Sequence, residues 1–298
     1  MGFLNRITSL VKDPPPRHLF ELSEAGIAFA HSGGTGFQPF EPGTLVASPV
    51  EDNILRGDAI ASLVQKLAPV NGSKKRRPAA VILPDYAARV TVLDFDSFPS
   101  APEEQISLVR FRVKKTVPFD IDSAAVSYFV QPASTTKSGK KVEVLAVTVA
   151  LEVIARYEAL FRAAGFHPGV VTTSTIAALN LYHGDGVAVL AKLSGRVLTV
   201  AVLSGSSIRL FRCVTLEDIS DEEILGVLHP TFAYVEDELS AAVAKLILCG
   251  FDQPIFDEPT FAQAIHGLRC PVEPLRSRLG APGSFNAGLL GYLESVEN

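Results

Sequence analysis

The residues of this 298-residue chain that invite a chemical reading are few and scattered. Six histidines, at positions 18, 31, 167, 183, 229 and 266, form no H-x-x-x-H or other short ligand spacing. Three cysteines, Cys213, Cys249 and Cys270, form no C-x-x-C, so neither a zinc site nor a disulfide framework is expected. His31-Ser32-Gly33-Gly34-Thr35-Gly36 is glycine-rich, as phosphate loops are. Pro39 and Phe40 stand where a small residue and a helix start would be needed, and the run reads as a hairpin loop. Lys137-Ser138-Gly139-Lys140-Lys141 resembles the end of a Walker A motif, but Ser134 replaces its first glycine and Lys141 its magnesium-binding hydroxyl. Asp94 and Asp96 fall on one strand face, a spacing open to a metal pair; their alternation with Leu93 and Phe95 predicts solvent-facing acids instead. Cys249 beside Gly250 is a thiol at a strand end, expected to be buried and inert. There is no G-x-S-x-G elbow. No pair of residues supports a catalytic mechanism, and the chain is read as a non-enzyme.

The elements that must position any site come from patterning. At 47% hydrophobic the chain can bury a sizeable core, and its length suits about two domains. A net charge of −5 gives no global argument for nucleic acid. No apolar run reaches the ~18–20 residues of a membrane span, and no leader-like apolar stretch opens the chain. The cysteine usage suits a reducing compartment. Residues 1–12 place Phe3, Leu4, Ile7, Leu10 and Val11 on one helical face, which reads either as a short packed helix or as a membrane-surface helix. Strands are expected at His18–Leu22 and Ile27–Ala30, around a turn at Ser23–Gly26. A helix follows on Ile60, Leu63, Val64 and Leu67. Lys74, Lys75, Arg76 and Arg77 form a basic loop, read as solvated or as a contact with anionic lipid at about 1 kcal/mol per residue. Further strands are expected at Ala79–Leu83, Arg89–Phe95, Val142–Val149, Val187–Lys192, Val197–Leu203, Ile208–Cys213 and Lys245–Cys249. Helices are expected at Leu151–Ala164, Ala233–Ala244 and Ala287–Leu293, with a helix or turn at Thr172–Leu181.

The stretch from Pro102 to Phe129 organises the rest. Glu103 and Glu104 open a helical pattern at Ile106, Val109 and Val113. Val117-Pro118-Phe119-Asp120 then stops the helix, because proline lacks an N–H and disfavours helix before it. Ala125–Val130 reads as a strand.

This order, E-E-x-I followed by K-x-V-P-F-D and Y-F-V, resembles the inserted subdomain of PilM-like proteins, actin-like components of type IV pilus assembly related to FtsA. The A-G-F-x-P-x-V-V and A-A-L run at residues 164–179 resembles them too. The resemblance implies an α/β, actin-like (ribonuclease H-like) fold of duplicated mixed-sheet lobes, with a small α+β insert in the first lobe. It implies a first subdomain at 1–97, the insert at 98–150, the rest of the first subdomain at 151–185, and a second lobe at 186–298 with a shortened nucleotide-capping part. In ATP-binding members, hairpin turns with Asp and glycines cradle phosphate and metal. Here the first Asp position falls on Glu21 and its glycine on Ser23. The second Asp falls on Lys192 and its glycine on Ser194, and one of the adenosine glycines has become Cys249, beside Gly250. The resemblance with these departures implies a decayed ATPase site and no cofactor. If ATP and Mg are retained, Glu21, Ser23, Lys192, Ser194 and Gly250 line the cleft. A sugar-kinase relative would need a catalytic Asp there, and none is placed. The resemblance also implies an adaptor at the cytoplasmic face of the inner membrane. It would hold the tail of a PilN-like membrane protein in a groove carried, by position, by Arg89, Phe95, Arg110, Pro118, Phe119 and Tyr128, and would meet other pilus assembly proteins. The cytoplasmic part of GspL-like type II secretion components is the nearest variant. Peripheral membrane contact would run through Phe3, Leu4, Ile7 and residues 74–77.

Overall fold

The computed structural model describes residues 16–31, 34–50, 52–69, 76–132, 134–136, 139–251 and 259–297. The expected N-terminal helix with Phe3, Leu4 and Ile7 lies outside them, as do Lys74 and Lys75.

The chain begins with β1 (His18–Ser23), β2 (Gly26–His31) and β3 (Gly34–Pro39), then α1 (Gly57–Leu67) and β4 (Arg77–Leu83). Next come β5 (Arg89–Phe95), α2 (Pro102–Val113), β6 (Ala124–Val130), β7 (Ser134–Thr136) and β8 (Gly139–Ala150). α3 (Leu151–Ala163), β9 (Phe166–Thr173) and α4 (Ser174–Ala178) return to the first lobe. The second lobe is β10 (Val187–Ser194), β11 (Val197–Ser204), β12 (Ser207–Thr215), α5 (Asp221–Leu239), β13 (Lys245–Cys249), α6 (Pro259–His266) and β14 (Val272–Pro274), closed by α7 (Ala287–Glu297).

The two lobes repeat one topology. The first sheet runs β3-β2-β1-β4-β9 and the second β12-β11-β10-β13-β14, each an antiparallel meander with parallel strands added beside its first strand. The added strands are buried apolar runs, as parallel strands covered on both faces must be; β4 carries Ala79, Ala80, Val81, Ile82 and Leu83, all fully buried. One face of the first sheet packs on α1 and α3 through Ile60, Val64, Val153, Tyr157 and Phe161. α5 covers the second sheet with Ile224, Leu228 and Val235. α4 and α7 fill the space between the lobes. Gly291 of α7 makes that packing possible, since a Cβ there would lie 2.1 Å from Ala177 O.

The third sheet runs β5-β8-β6, with α2 on its face over Leu93, Phe95, Val144 and Ala146. β5 hydrogen-bonds along β8 from Arg89↔Thr148 to Phe95↔Val142, so the insert takes up Arg89–Phe95 as its own edge. The insert also docks on the second lobe. Gln131 Nε2 donates to Ile208 O at 2.8 Å, and the Ile208 N–H donates to Gln131 Oε1 at 2.7 Å. Glu143 and Arg209 form a buried ion pair beside them.

Three local expectations are corrected. The hairpin loop expected at His31–Gly36 is shorter: His31 pairs with Gly34, and Gly34–Pro39 form the outer strand β3, held because Gly26 lets it pass within 2.3 Å of where a Cβ would stand. The helix expected at Ala233–Ala244 begins at Asp221, where the Ser220 hydroxyl accepts the Glu223 N–H, and stops at Leu239, with Ser240 left-handed (φ 49°). Pro230 inside it disguises the helical pattern, because proline removes one backbone donor. Arg77 is not a loop cation. It opens β4, donates to Ala68 O at 2.6 Å and Pro69 O at 3.1 Å, and lies 4.1 Å over the Phe166 ring.

Candidate functional site in the cleft between the lobes

β1 and β10 occupy the same place in their sheets, and each ends in a tight turn to its partner strand. Two residues before each turn serine, the side chain faces the interlobe floor: Glu21 before Ser23, Lys192 before Ser194. Equivalent positions thus carry opposite charges. Asp85 joins them from the short 3₁₀ turn Asp85–Ala87 after β4.

All three are buried, with Glu21 and Lys192 1% exposed and Asp85 6%. Glu21 accepts from the Ser174 hydroxyl and, at 2.7 Å, from the Leu289 N–H at the start of α7. Asp85 accepts from the Thr175 N–H at 2.7 Å and hydroxyl at 2.5 Å, and from the Thr199 hydroxyl at 3.2 Å. Lys192 Nζ stands 3.7 Å from Asp85 Oδ2. Burial pulls the Lys192 ammonium down, but Asp85 and Glu21 outweigh it and hold the group above the usual lysine value. Burial raises the Glu21 carboxyl, against the pull of Lys192 and its two donors. Burial, with Asp85 adding to it, pushes the Cys213 thiol up to about 12, leaving it unreactive.

Above this floor opens a cavity of about 380 Å³ walled by Phe40, Tyr86 and Phe285, with Ser23, Glu24 and Ser194 at its polar side. The hydroxyls are engaged internally. Ser23 Oγ donates to Gly26 O at 3.0 Å, and Ser194 Oγ donates to Ser284 O at 2.9 Å. Gly250 does not line this cavity. Its φ is +80° and a Cβ would meet Leu193 O at 2.3 Å, so the glycine serves close strand packing; it borders a separate hollow of about 680 Å³ on the second lobe. Of the predicted residues, the cleft therefore gathers Glu21, Ser23, Lys192 and Ser194. Asp85, Ser174, Thr175 and Thr199 were missed, and an aspartate does stand in the cleft where none was placed. The apolar strand ending Leu83-Pro84-Asp85 was the available signal for it.

The insert residues are less gathered. Phe95, 6% exposed, packs against Phe98 at 5.0 Å between ring centroids and belongs to the insert core. Tyr128 donates its hydroxyl to Gln105 Oε1 at 2.7 Å, and Phe119 is half-buried between the insert and the first-lobe core. Arg110 donates to Ala124 O at 3.3 Å and to Ile121 O, tying α2 to the start of β6. Pro118 is exposed, and Arg89 sits 5.1 Å over the Tyr86 ring. Phe95, Tyr128 and Arg110 thus hold the insert together rather than standing free. β6 pairs with β8 on one side and, among the described residues, is the outer strand of the sheet. Phe111 on α2 is 69% exposed. Asp94 and Asp96 face solvent, and among the described residues no cluster of metal-ligating side chains occurs.

No protein-family model matches the sequence, and no curated protein matches it. Solved structures do. A chain of a PilM–PilN type IV pilus biogenesis complex superposes with a TM-score of 0.73 at 15% identity, covering 96% of this chain and 100% of that one. The cytoplasmic domain of EpsL, an inner-membrane component of the type II secretion system of Vibrio cholerae, superposes with a TM-score of 0.51 at 13% identity, covering 94% of each chain. A Bacteroides thetaiotaomicron protein of actin-like ATPase fold and unknown function gives 0.50 at 11% identity, covering 86% of this chain and 89% of that one. At such identities the likeness is one of fold, and the fold is actin-like.

Proposed function

We propose that this actin-like chain is a non-catalytic adaptor of a type IV pilus or type II secretion assembly, placed at the cytoplasmic face of the inner membrane, where it holds the cytoplasmic tail of a PilN-like partner. The observation that carries the reading is the whole-chain likeness, insert included, to a protein solved in a PilM–PilN complex. The outer edge of β6 supports it, since an extended tail added there gains main-chain hydrogen bonds. Pro118 and Phe119 at the end of α2 would flank such a tail. Arg76, exposed before β4, would add lipid attraction together with Lys74 and Lys75.

The cleft chemistry supports the non-catalytic part. A magnesium-bound triphosphate needs free donors for its oxygens and acids open to the metal. Here the turn hydroxyls are engaged within the chain, Glu21 and Asp85 already hold their donors, and a cation, Lys192, stands 3.7 Å from Asp85 where a metal would need a further acid. Those residues do not fit the group. The second reading, an ATP-binding protein with an atypical site, is favoured by the cavity of about 380 Å³ and by Asp85 within it.

The test is a titration of the purified chain with the labelled cytoplasmic tail of a single-span membrane protein encoded beside it. Saturable binding with hydrogen-exchange protection on β6 and at Pro118–Phe119 is expected. Binding that leaves the insert unprotected, or no binding, would remove the adaptor reading.

A further inference from the structure

The cleft floor presents an electrostatic problem that the chain solves internally. Two acids of the first lobe, Glu21 and Asp85, are buried and held by hydroxyl and backbone donors, none of which carries a charge. An uncompensated buried charge is strongly destabilising. The cation that meets Asp85 comes from the other lobe: it is Lys192, whose Nζ stands 3.7 Å from Asp85 Oδ2 on the same cleft floor as Glu21. Its cross-strand neighbours are Thr199 and Cys249, so the second lobe brings no acid of its own to this row. Acids on one lobe therefore face a cation on the other, and the Thr199 hydroxyl crosses to the same Asp85 oxygen.

We propose that the Lys192 ammonium is a tethered cation, meeting the buried Asp85 carboxylate across the cleft where a bound metal ion would otherwise be needed, so that this charge is compensated from within the chain and the lobes are bridged with no ligand. A bound ion can dissociate from the chain; a lysine on β10 cannot. If the adaptor reading holds, partner affinity is then indifferent to nucleotide and to divalent metal. The test below involves neither partner nor nucleotide, so its failure and the failure of the adaptor reading are distinguishable.

Lys192→Asp puts a third carboxylate on the floor. Without metal this variant is expected to shift the folding equilibrium toward unfolding by about a hundredfold or more. Its thermal midpoint is expected to recover saturably with manganese or magnesium chloride, while the wild type and Lys192→Met do not respond to either salt. If Lys192→Asp does not fold at all, a cycle of Lys192→Met, Asp85→Asn and the double variant decides. The double variant is expected to regain at least about tenfold of what Lys192→Met loses, because the acid left unpaired is also removed. Additive losses in that cycle, or a folded Lys192→Asp that melts at the same temperature with and without metal, overturn the proposal.

Discussion

Replacing Arg209 by methionine isolates the ion pair that helps hold the insert against the second lobe. Both side chains of the Glu143–Arg209 pair are 6% exposed, so solvent screens them little. Removing one partner of a buried pair costs about 3–5 kcal/mol, because the other charge is left without compensation. Glu143 already sits above the usual carboxylate value through burial, with Arg209 pulling it down and Asp94 pushing it up. Without Arg209 it rises further. A carboxyl raised in the folded state makes folding favour the protonated form, so the destabilisation is absent below the ordinary value of 4.5 and grows as pH rises through the folded value. Arg209→Met is therefore expected to lose most stability at neutral pH and progressively less on acidification. The double variant Glu143→Leu, Arg209→Met should return to within about 1 kcal/mol of wild type, since an apolar pair of similar bulk replaces the ions. Urea unfolding from pH 4 to pH 8 measures this. A loss below about 1 kcal/mol at neutral pH, or a double variant as unstable as Arg209→Met, would refute the reasoning.

Other expectations follow from the same contacts. Gln131→Ala removes two hydrogen bonds to the backbone of Ile208, a residue 2% exposed; a loss of about 2–4 kcal/mol by urea unfolding is expected, with faster hydrogen exchange at Ile208 in β12. Gly291→Ala drives a Cβ against the Ala177 carbonyl, the atom 2.1 Å away, and should lose about 1–3 kcal/mol by calorimetry. Gly226→Ala on α5 meets nothing within 4 Å and should gain up to about 1 kcal/mol. Burial raises Glu294, but donors from Ser277 and Arg278 overcome it and hold the carboxyl below its usual 4.5. Its stabilisation is full above that value and is lost as pH falls through the lower folded one, so Glu294→Gln should flatten the acid limb of a pH–stability curve.

The hairpins were legible because their signals are local: Ser23–Gly26 and Ser194–Val197 are tight turns between alternating or apolar strands. The insert helix was legible from Glu103 to Val113 for the same reason. β3 was not, since Gly34–Pro39 has neither alternation nor β-branched content beyond Thr35 and is held by pairing with β2. The helix at Asp221–Leu239 carried its signal in Ser220 and the three acids after it, a helix-start pattern masked by Pro230. In the cleft, Glu21 and Lys192 were placed by position in a hairpin pattern. Their partners Asp85, Ser174, Thr175 and Thr199 were not, because those contacts join residues 90 or more apart in the chain, as in Thr175–Asp85 and Thr199–Asp85. Periodicity carries no information about such pairs. For the aromatic residues Phe119 and Tyr128, patterning does not separate groove wall from core, and the structure half-buries both against the insert core.

Thermal unfolding of the wild-type chain titrated with magnesium–ATP tests most directly whether Lys192, rather than a metal-bound nucleotide, completes the floor between the lobes. The midpoint is predicted to stay where it is at every concentration. A saturable rise, equivalent to about 2.7 kcal/mol when ligand reaches a hundred times its Kd, would contradict it.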